Sequence, residues 1–129
     1  MSDPSALEPA LKFDFARSPC PIATTLDLVG DKWSLVVIRD LLHDKERFND
    51  LLGGPERIPT NILADRLRRL CDNGLVARHP YSDHPRRYAY RLTASGRALK
   101  PVLQAICRWA NAQIEGTWVP PADFMEDAR

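Results

Sequence analysis

The stretch that most constrains the fold is residues 58–92, which has the pattern of an amphipathic helix followed by a two-stranded hairpin. Leu63, Leu67 and Leu70 recur at the helical period, so they share one face, and polar residues occupy the opposite face. Gly74 follows as the positive-φ residue that commonly ends a helix. The pattern therefore predicts a helix with one buried and one free face.

The hairpin is predicted from alternation after this glycine. A short strand at residues 75–77 is followed by a loop at residues 80–85 and a second strand at residues 86–92. In the second strand Tyr88 and Tyr90 alternate with arginines and one alanine. We expect the tyrosines to face inward and the alternating positions to face solvent.

The charge distribution indicates what this unit binds. Residues 57–91 carry 8 arginines and 3 aspartates, although the whole chain has a net charge of only +1. Residues 1–56 carry 6 basic and 10 acidic residues, so the surplus is local. Arginine binds phosphate and guanine edges bidentately. A free helix face beside an arginine-flanked hairpin predicts a winged helix on duplex DNA, whereas the simpler alternative is a solvated helix beside an ordinary hairpin.

Length and composition favour one globular domain. The chain has 129 residues, of which 44% are hydrophobic and 27% charged. No apolar run approaches the roughly 20 residues needed to cross a bilayer, and no signal peptide pattern is present, so we expect a cytoplasmic protein without a membrane partner. Three widely spaced cysteines argue against a disulfide framework. The predicted organisation is an N-terminal arm at residues 1–17, one domain at residues 18–118 and a flexible tail at residues 119–129.

Cys20 is predicted to cap the first helix. It precedes Pro21, which suits the first helical position, and the apolar stripe Ile22, Leu26 and Val29 follows. Unpaired amides and the helix dipole favour the thiolate at such a position. Cys20 is therefore a candidate redox sensor, with a chemically inert cap as the alternative.

The next two helices complete a helix-turn-helix. Asp31 can cap a helix at residues 32–42, whose apolar core WSLVVI predicts burial, with Trp33 in the core. A short helix at residues 46–52 precedes the Gly-Gly-Pro break before the leucine helix. Two helices joined by a turn and followed by a hairpin predict a winged helix-turn-helix, a mainly α fold with a small β-hairpin wing.

The last predicted helix covers residues 94–117, with Thr93 as its cap and a kink caused by Pro101 near residues 97–101. Its apolar stripe exceeds what a small domain needs for its own core, which predicts a dimerisation helix. The alternative is a helix that folds back on its own core. The predicted dimer interface consists of Leu99, Val102, Leu103, Ile106, Trp109, Ala110 and Gln113.

Several motifs occur together in a recognisable order. The sequence contains CPIATTLDLVGDKWSLVVIRDLL, RFNDL, IPTNILADRLRRLCDNGLV, YAYRLTASG and PVLQAICRWA. Over about residues 18–112 it resembles the HxlR family of bacterial winged helix-turn-helix regulators. The resemblance implies a homodimer that binds a roughly palindromic operator and represses, or sometimes activates, genes. It also implies that residues 59–69 enter the major groove, that residues 82–87 lie near the minor groove, and that Cys20 senses quinones, aldehydes or oxidants.

The free helix face and the wing supply the predicted DNA contacts. Base edges are assigned to Thr60, Asn61, Ala64, Asp65 and Arg68, with Asp65 also able to orient Arg68 or Arg69. Phosphates are assigned to Arg57, Arg66, Arg69, Arg78, Arg86 and Arg87. His84 and its flanking arginines are expected in the minor groove.

Other classes of function receive less support from the sequence. It contains no glycine-rich phosphate loop and no recognisable nucleophile arrangement, so we predict no enzyme activity and no cofactor. His79, His84 and Cys71 lack zinc-like spacing, so we predict no metal site. Cys71 and Cys107 are interpreted as packing residues. A small apolar effector at the dimer interface, or a winged helix used only for protein contacts, remain as alternatives.

Overall fold

The computed structural model describes residues 11–126. The helices are α1 Pro21–Val29, α2 Ser34–Leu42, α3 Phe48–Leu52, α4 Thr60–Asp72, α5 Ala94–Arg97, α6 Lys100–Gln113 and α7 Ala122–Met125. The strands are β1 Val76–Asp83 and β2 Arg86–Leu92, which form one antiparallel hairpin. The predicted fold class, a mainly α winged helix-turn-helix with one hairpin and a further C-terminal helix, is confirmed.

The leucine face of α4 lies in the hydrophobic core. Leu63, Leu67 and Leu70 are each at most 1% exposed, and they pack with Ile38 of α2 and Leu51 of α3. Burial of each such side chain contributes about 1.5–3 kcal/mol. Trp33 packs against this cluster, as predicted. The buried face of α4 thus fixes which of its residues remain free.

The ends of the helices follow the predicted signals. Pro21 occupies the first turn of α1 and Cys20 its N-cap. Asp31 Oδ1 accepts hydrogen bonds from the amides of Trp33 and Ser34 at 2.9 and 3.0 Å, so Asp31 caps α2, although α2 begins at Ser34 rather than at residue 32. Gly74 has a φ of 76° just after α4. These predictions held because capping is local.

The wing is longer than predicted. β1 continues to Asp83, four residues into the expected loop at residues 80–85, and Ser82 and Asp83 pair with residues of β2 after a register shift. Pro80 is tolerated because it lies at this irregularity, where a missing N–H costs little. Tyr88 and Tyr90 are half-buried as expected, but Ala89, predicted to face solvent, is 8% exposed because residue 47 forms a bridge with it.

The predicted C-terminal helix is divided. α5 and α6 are separated at residues 98–99, next to Pro101, which confirms the predicted kink. The Gly96 amide donates to Thr93 Oγ1 at 3.1 Å, which confirms the predicted cap. α6 ends at Gln113 rather than at residue 117, and the chain then leaves the helical conformation at Ile114, whose φ is −119°.

Residues 114–126, here called the C-terminal strap, fold back on the domain. Phe124 is 7% exposed, and Gln104 Nε2 donates to its carbonyl oxygen at 3.0 Å. The prediction of a flexible tail is therefore wrong for residues 122–126, because an aromatic anchor and a buried amide hold the chain. In the predicted arm, Leu11 packs against the core, while residues 1–10 lie outside the described residues. No helix within residues 11–126 is long and apolar enough to span a bilayer.

Candidate nucleic-acid interface

The free face of α4 carries the predicted base-reading residues. Thr60, Asn61, Ala64 and Arg68 are exposed, opposite the buried leucines. The Arg68 side chain is 69% exposed, so its guanidinium is available to a groove. A helix that is buried along one face and polar along the other can enter the major groove without losing core contacts.

Asp65 organises the arginines of this helix. Its Oδ1 accepts from Arg68 Nη2 and its Oδ2 from Arg66 Nη1, both at 2.5 Å, and Arg69 Nη1 lies 3.9 Å from Oδ2. The hydrogen bond from Arg68 is the main reason that the pKa of Asp65 is lowered. Asp65 thus stays ionised and orients Arg68, one of the two roles predicted from the sequence.

Arg66 does not face the predicted phosphate position. Its Nε donates to Asp31 Oδ1 at 2.9 Å while its Nη1 bonds Asp65, and its side chain is only 17% exposed. The hydrogen bond with Asp31 raises the pKa of Arg66. The prediction that Arg66 binds phosphate is therefore corrected, since its donors tie α4 to the turn between α1 and α2.

The remaining predicted phosphate-binding residues lie on exposed segments. Arg57 sits in the turn before α4 with a φ of 58°, an uncommon conformation for a non-glycine residue. Arg78 stacks over the Tyr88 ring at 4.3 Å. Arg69, Arg57, Arg78, His84, Arg86 and Arg87 are all exposed. Arg86 Nη2 lies 3.6 Å from Asp83 at the hairpin tip, a weak surface pair that DNA phosphate could displace.

A cationic cleft between α3 and the wing was missed by the sequence reasoning. The cleft has a volume of about 590 Å³ and is lined by Arg47, Asn49, Arg86, Arg87 and Tyr88, among others. The Arg47 guanidinium stacks on the exposed Tyr81 ring at 4.3 Å, which brings the start of α3 next to β1. The position of Arg47 just before the first helix of the motif was the available signal. The contact of Arg47 with Tyr81 could not be predicted, because residues 80–85 were expected to form a loop and not to be part of β1.

Comparison with known proteins decides the family. The sequence model of the HxlR-like helix-turn-helix family matches residues 28–117. The chain belongs to the HxlR-like family. The HTH-type transcriptional regulator sll1512 of Synechocystis is 38% identical over 96 residues, which are 74% of this chain and 71% of that protein. The regulator YdeP of Bacillus subtilis is 36% identical over 90 residues, 70% of either chain.

Solved structures agree with this assignment. The reduced form of the transcriptional regulator YodB from Bacillus subtilis superposes with a TM-score of 0.63 at 31% identity, covering 77% of this chain and 98% of that one. The redox regulator HypR in its oxidised form gives a TM-score of 0.67 at 31% identity, covering 74% and 99%. The HxlR-like chain is thus a transcriptional regulator with a winged helix-turn-helix fold.

This HxlR-like regulator leaves two apolar faces exposed. Ile22 of α1 is 72% exposed, and Trp109 of α6 is 62% exposed. Within the predicted dimer stripe, Val102, Ile106, Trp109 and Gln113 are exposed and Ala110 is half-buried. Leu103 is 6% exposed in the chain's own core and Leu99 packs against that core, so these two residues are removed from the predicted interface.

Cys20 has the environment expected of a reactive thiol. It is exposed at the N-cap of α1, where the backbone amides of Ala23 and then Ile22 lower the pKa of its thiol, with a smaller contribution from Arg17. Burial raises the pKa of Cys71. Cys71 and Cys107 pack against the core, in agreement with their predicted packing roles.

Proposed function

We propose that this regulator binds a pseudo-palindromic operator in double-stranded DNA as a homodimer and represses transcription. α4 would lie in the major groove and the hairpin tip in the minor groove. The observation that carries the proposal is the free face of α4, with Arg68 exposed and oriented by Asp65, beside a wing rich in exposed arginines. Such an arrangement combines base reading with phosphate binding.

The dimer is needed for both affinity and specificity. One winged helix with a handful of phosphate contacts binds weakly at physiological salt. Two recognition helices about 34–36 Å apart would enter successive major grooves on one side of the duplex. The exposed apolar residues Ile22, Leu26 and Trp109 supply a surface that a second copy would cover.

Trp109 provides the test of this interface. Trp109→Ala should weaken dimerisation by about 30-fold or more if the indole is a central contact. The matched control is Arg108→Ala, one residue earlier on α6 and also exposed. Sedimentation equilibrium of both variants measures the dissociation constant, and equal dimer stability would remove Trp109 from the interface.

A thiol switch at Cys20 is the proposed trigger. The exposed thiol at the start of α1 lies on the same helix as the apolar residues Ile22 and Leu26, so a modified Cys20 would disturb the surface assigned to the dimer. With an α,β-unsaturated carbonyl compound, the thiolate forms an S–C bond and the α-carbon takes the proton. With diamide, two thiols form a disulfide and the diamide takes up two electrons and two protons. The likeness to the redox regulator HypR supports this proposal.

The deciding experiment is fluorescence anisotropy on the chain's own upstream DNA and on scrambled DNA, with and without diamide. We expect specific binding that weakens steeply with salt, is lost on oxidation and returns with dithiothreitol. A Cys20→Ala protein should bind the operator but ignore diamide. If that variant keeps the full loss of affinity, the switch is not Cys20 but one of the other free cysteines, Cys71 or Cys107. If wild-type binding is indifferent to diamide, the small apolar effector becomes the trigger. If this DNA is not bound specifically, either the operator lies elsewhere or the chain is a protein-interaction module.

A further inference from the structure

A second cavity lies between α2, α6 and the C-terminal strap, separate from the cleft at the wing. Its volume is about 510 Å³, within the range of small-molecule sites. Its walls are mostly apolar and come from three parts of one chain: Val36 of α2, Leu103 and Ile106 of α6, and Trp118 and Val119 of the strap. All of these walls come from one protomer, and the cavity is open to solvent on the side of the strap, where Trp118 and Val119 are 78% and 84% exposed.

Hydrogen bonds fix the strap as a wall of this cavity. Asn111 Nδ2 donates to Thr117 Oγ1 at 2.8 Å and to the Trp118 carbonyl at 2.9 Å. At the other end, Gln104 Nε2 holds the Phe124 carbonyl, and the Phe124 ring lies 5.1 Å from the His43 ring. Because both ends of the strap are anchored by hydrogen bonds, the strap keeps this position without a bound ligand.

The polar end of the cavity contains a cationic side chain that can bind an acidic group of a ligand. Arg39 lines the cavity, but its guanidinium bonds Glu56 at 2.7 and 2.8 Å and Asp40 at 3.0 Å, so its charge is already balanced. Lys45 also lines the cavity. Within residues 11–126, no carboxylate oxygen lies within 4.0 Å of the Lys45 ammonium. An anionic group on a ligand would find Lys45 available.

We propose that this cavity binds a flat, aromatic small molecule carrying one acidic group, with the ring system against the apolar walls and the acid at Lys45. The apolar walls suit an aromatic ring system, and the Lys45 ammonium suits an acidic group. The bottom of the site reaches the DNA-binding unit, because Pro55 lines the cavity and Glu56 is held by Arg39. Both residues belong to the turn that leads into α4.

The occupied cavity regulates through this turn. The side chains of Arg39, Asp40 and Glu56 surround Gly54 within 3.8 Å of the position of a Cβ atom, so the turn is closely packed against the polar end of the cavity. A ligand acid near Lys45 competes with Glu56 for the local cations and displaces the turn, which lowers operator affinity. This coupling rests on the proposed function, whereas binding of the ligand does not.

The test uses two fluorescent probes with one ring system. 8-Anilinonaphthalene-1-sulfonate is an aromatic acid, and N-phenyl-1-naphthylamine lacks the sulfonate. Lys45→Met should weaken binding of the sulfonate by about tenfold and leave the neutral probe unchanged. An equal effect on both probes, or on neither, would overturn the assignment of Lys45.

The location is tested by filling the cavity. Val36→Trp should abolish binding of both probes, whereas Val102→Trp, on an exposed part of α6 outside the cavity, should retain it. Circular dichroism checks the fold, and Cys107→Phe fills the site from α6 if Val36→Trp does not fold. Probe binding that survives both filling variants, or that is lost in Val102→Trp together with the dimer, would place the probe at the interface between copies and overturn the proposal.

The regulatory step has its own readout. Saturating 8-anilinonaphthalene-1-sulfonate should weaken operator binding of the wild-type chain by at least about fivefold, but not that of Lys45→Met. Unchanged operator affinity with the cavity occupied would overturn the regulatory part. If the chain bound no DNA, the proposed function would fail, while the probe titrations would still decide the site.

Discussion

Arg66 Nε donates a hydrogen bond to Asp31 Oδ1 at 2.9 Å and thereby joins the recognition helix to the turn between α1 and α2. Asp31 also accepts from the Ser34 hydroxyl and from the amides of Trp33 and Ser34. Burial alone would raise the pKa of Asp31, but these hydrogen bonds, led by those of Ser34 and Arg66, outweigh it and hold the pKa well below its usual range. One carboxylate therefore caps α2 and positions α4.

Asp31→Asn should destabilise the fold by about 1–2 kcal/mol, since it removes a charge-assisted pair with Arg66 and weakens the cap. Urea denaturation at pH 7 measures the loss. The control is Asp83→Asn, because Asp83 is 75% exposed and its pair with Arg86 at 3.6 Å contributes little. If the two variants lost equal stability, the pair between Asp31 and Arg66 would be energetically unimportant.

The stabilisation that Asp31 contributes to the fold should decrease in acid. The folded chain lowers the pKa of Asp31 below the value of about 3.9 in the unfolded chain, so the stabilisation is fully present above that value. It shrinks as pH falls below about 3.9 and is lost as pH passes through the folded pKa. The difference in stability between wild type and Asp31→Asn should therefore stay constant from pH 7 to about pH 5 and decrease in stronger acid.

Gly96→Ala should unfold the junction between the wing and α5. A Cβ atom at Gly96 would lie 2.1 Å from the Leu75 carbonyl oxygen and 2.9 Å from a Leu92 methyl group. Because the nearer atom belongs to the backbone, we expect a loss of at least about 2 kcal/mol. Gly53→Ala is the matched control, since the nearest atom to its Cβ lies 3.5 Å away and its φ is −77°. Thermal unfolding measures the melting temperature of each variant. Equal melting temperatures would contradict the prediction.

Cys20 should react with iodoacetamide faster than Cys71 at pH 7. Its lowered pKa increases the thiolate fraction and its sulfur is exposed, whereas burial both raises the pKa of Cys71 and limits access. The thiolate forms an S–C bond and iodide leaves. Peptide mass spectrometry after timed quenching measures each rate. In urea the two rates should converge, and a native chain with equal rates would argue against a special environment at Cys20.

Local patterns in the sequence were sufficient for much of the fold. The leucine stripe of α4, the stop at Gly74, the cap at Thr93 and the break before Pro101 each depend on residues within a few positions of one another, so they could be predicted. The free face of α4 followed from the same stripe. These features also located most of the candidate DNA-binding residues.

The errors concern partners that are distant in sequence. Arg66 was assigned to phosphate because nothing near it revealed Asp31, 35 residues earlier. Residues 119–129 were predicted to be flexible because nothing near Phe124 revealed its contact with Gln104, 20 residues earlier. Ala89 was predicted to face solvent because nothing near it in the sequence revealed that residue 47 pairs with it. In each case tertiary contact decided a position for which the local pattern allowed two interpretations.

Arg68 and Arg87 should have different roles at the proposed DNA interface, with Arg68 binding a base and Arg87 binding phosphate. Arg68 is exposed on α4 and oriented by Asp65, so Arg68→Ala should lose about 1–3 kcal/mol of discrimination at one base pair of the operator. Arg87 lies on the exposed wing, so Arg87→Ala should weaken operator and scrambled DNA nearly alike and reduce the salt slope by about 0.9. Anisotropy titrations on single-base operator variants at several salt concentrations measure both effects. A uniform loss for Arg68→Ala would make Arg68 a phosphate contact, because only a base contact makes the loss depend on sequence.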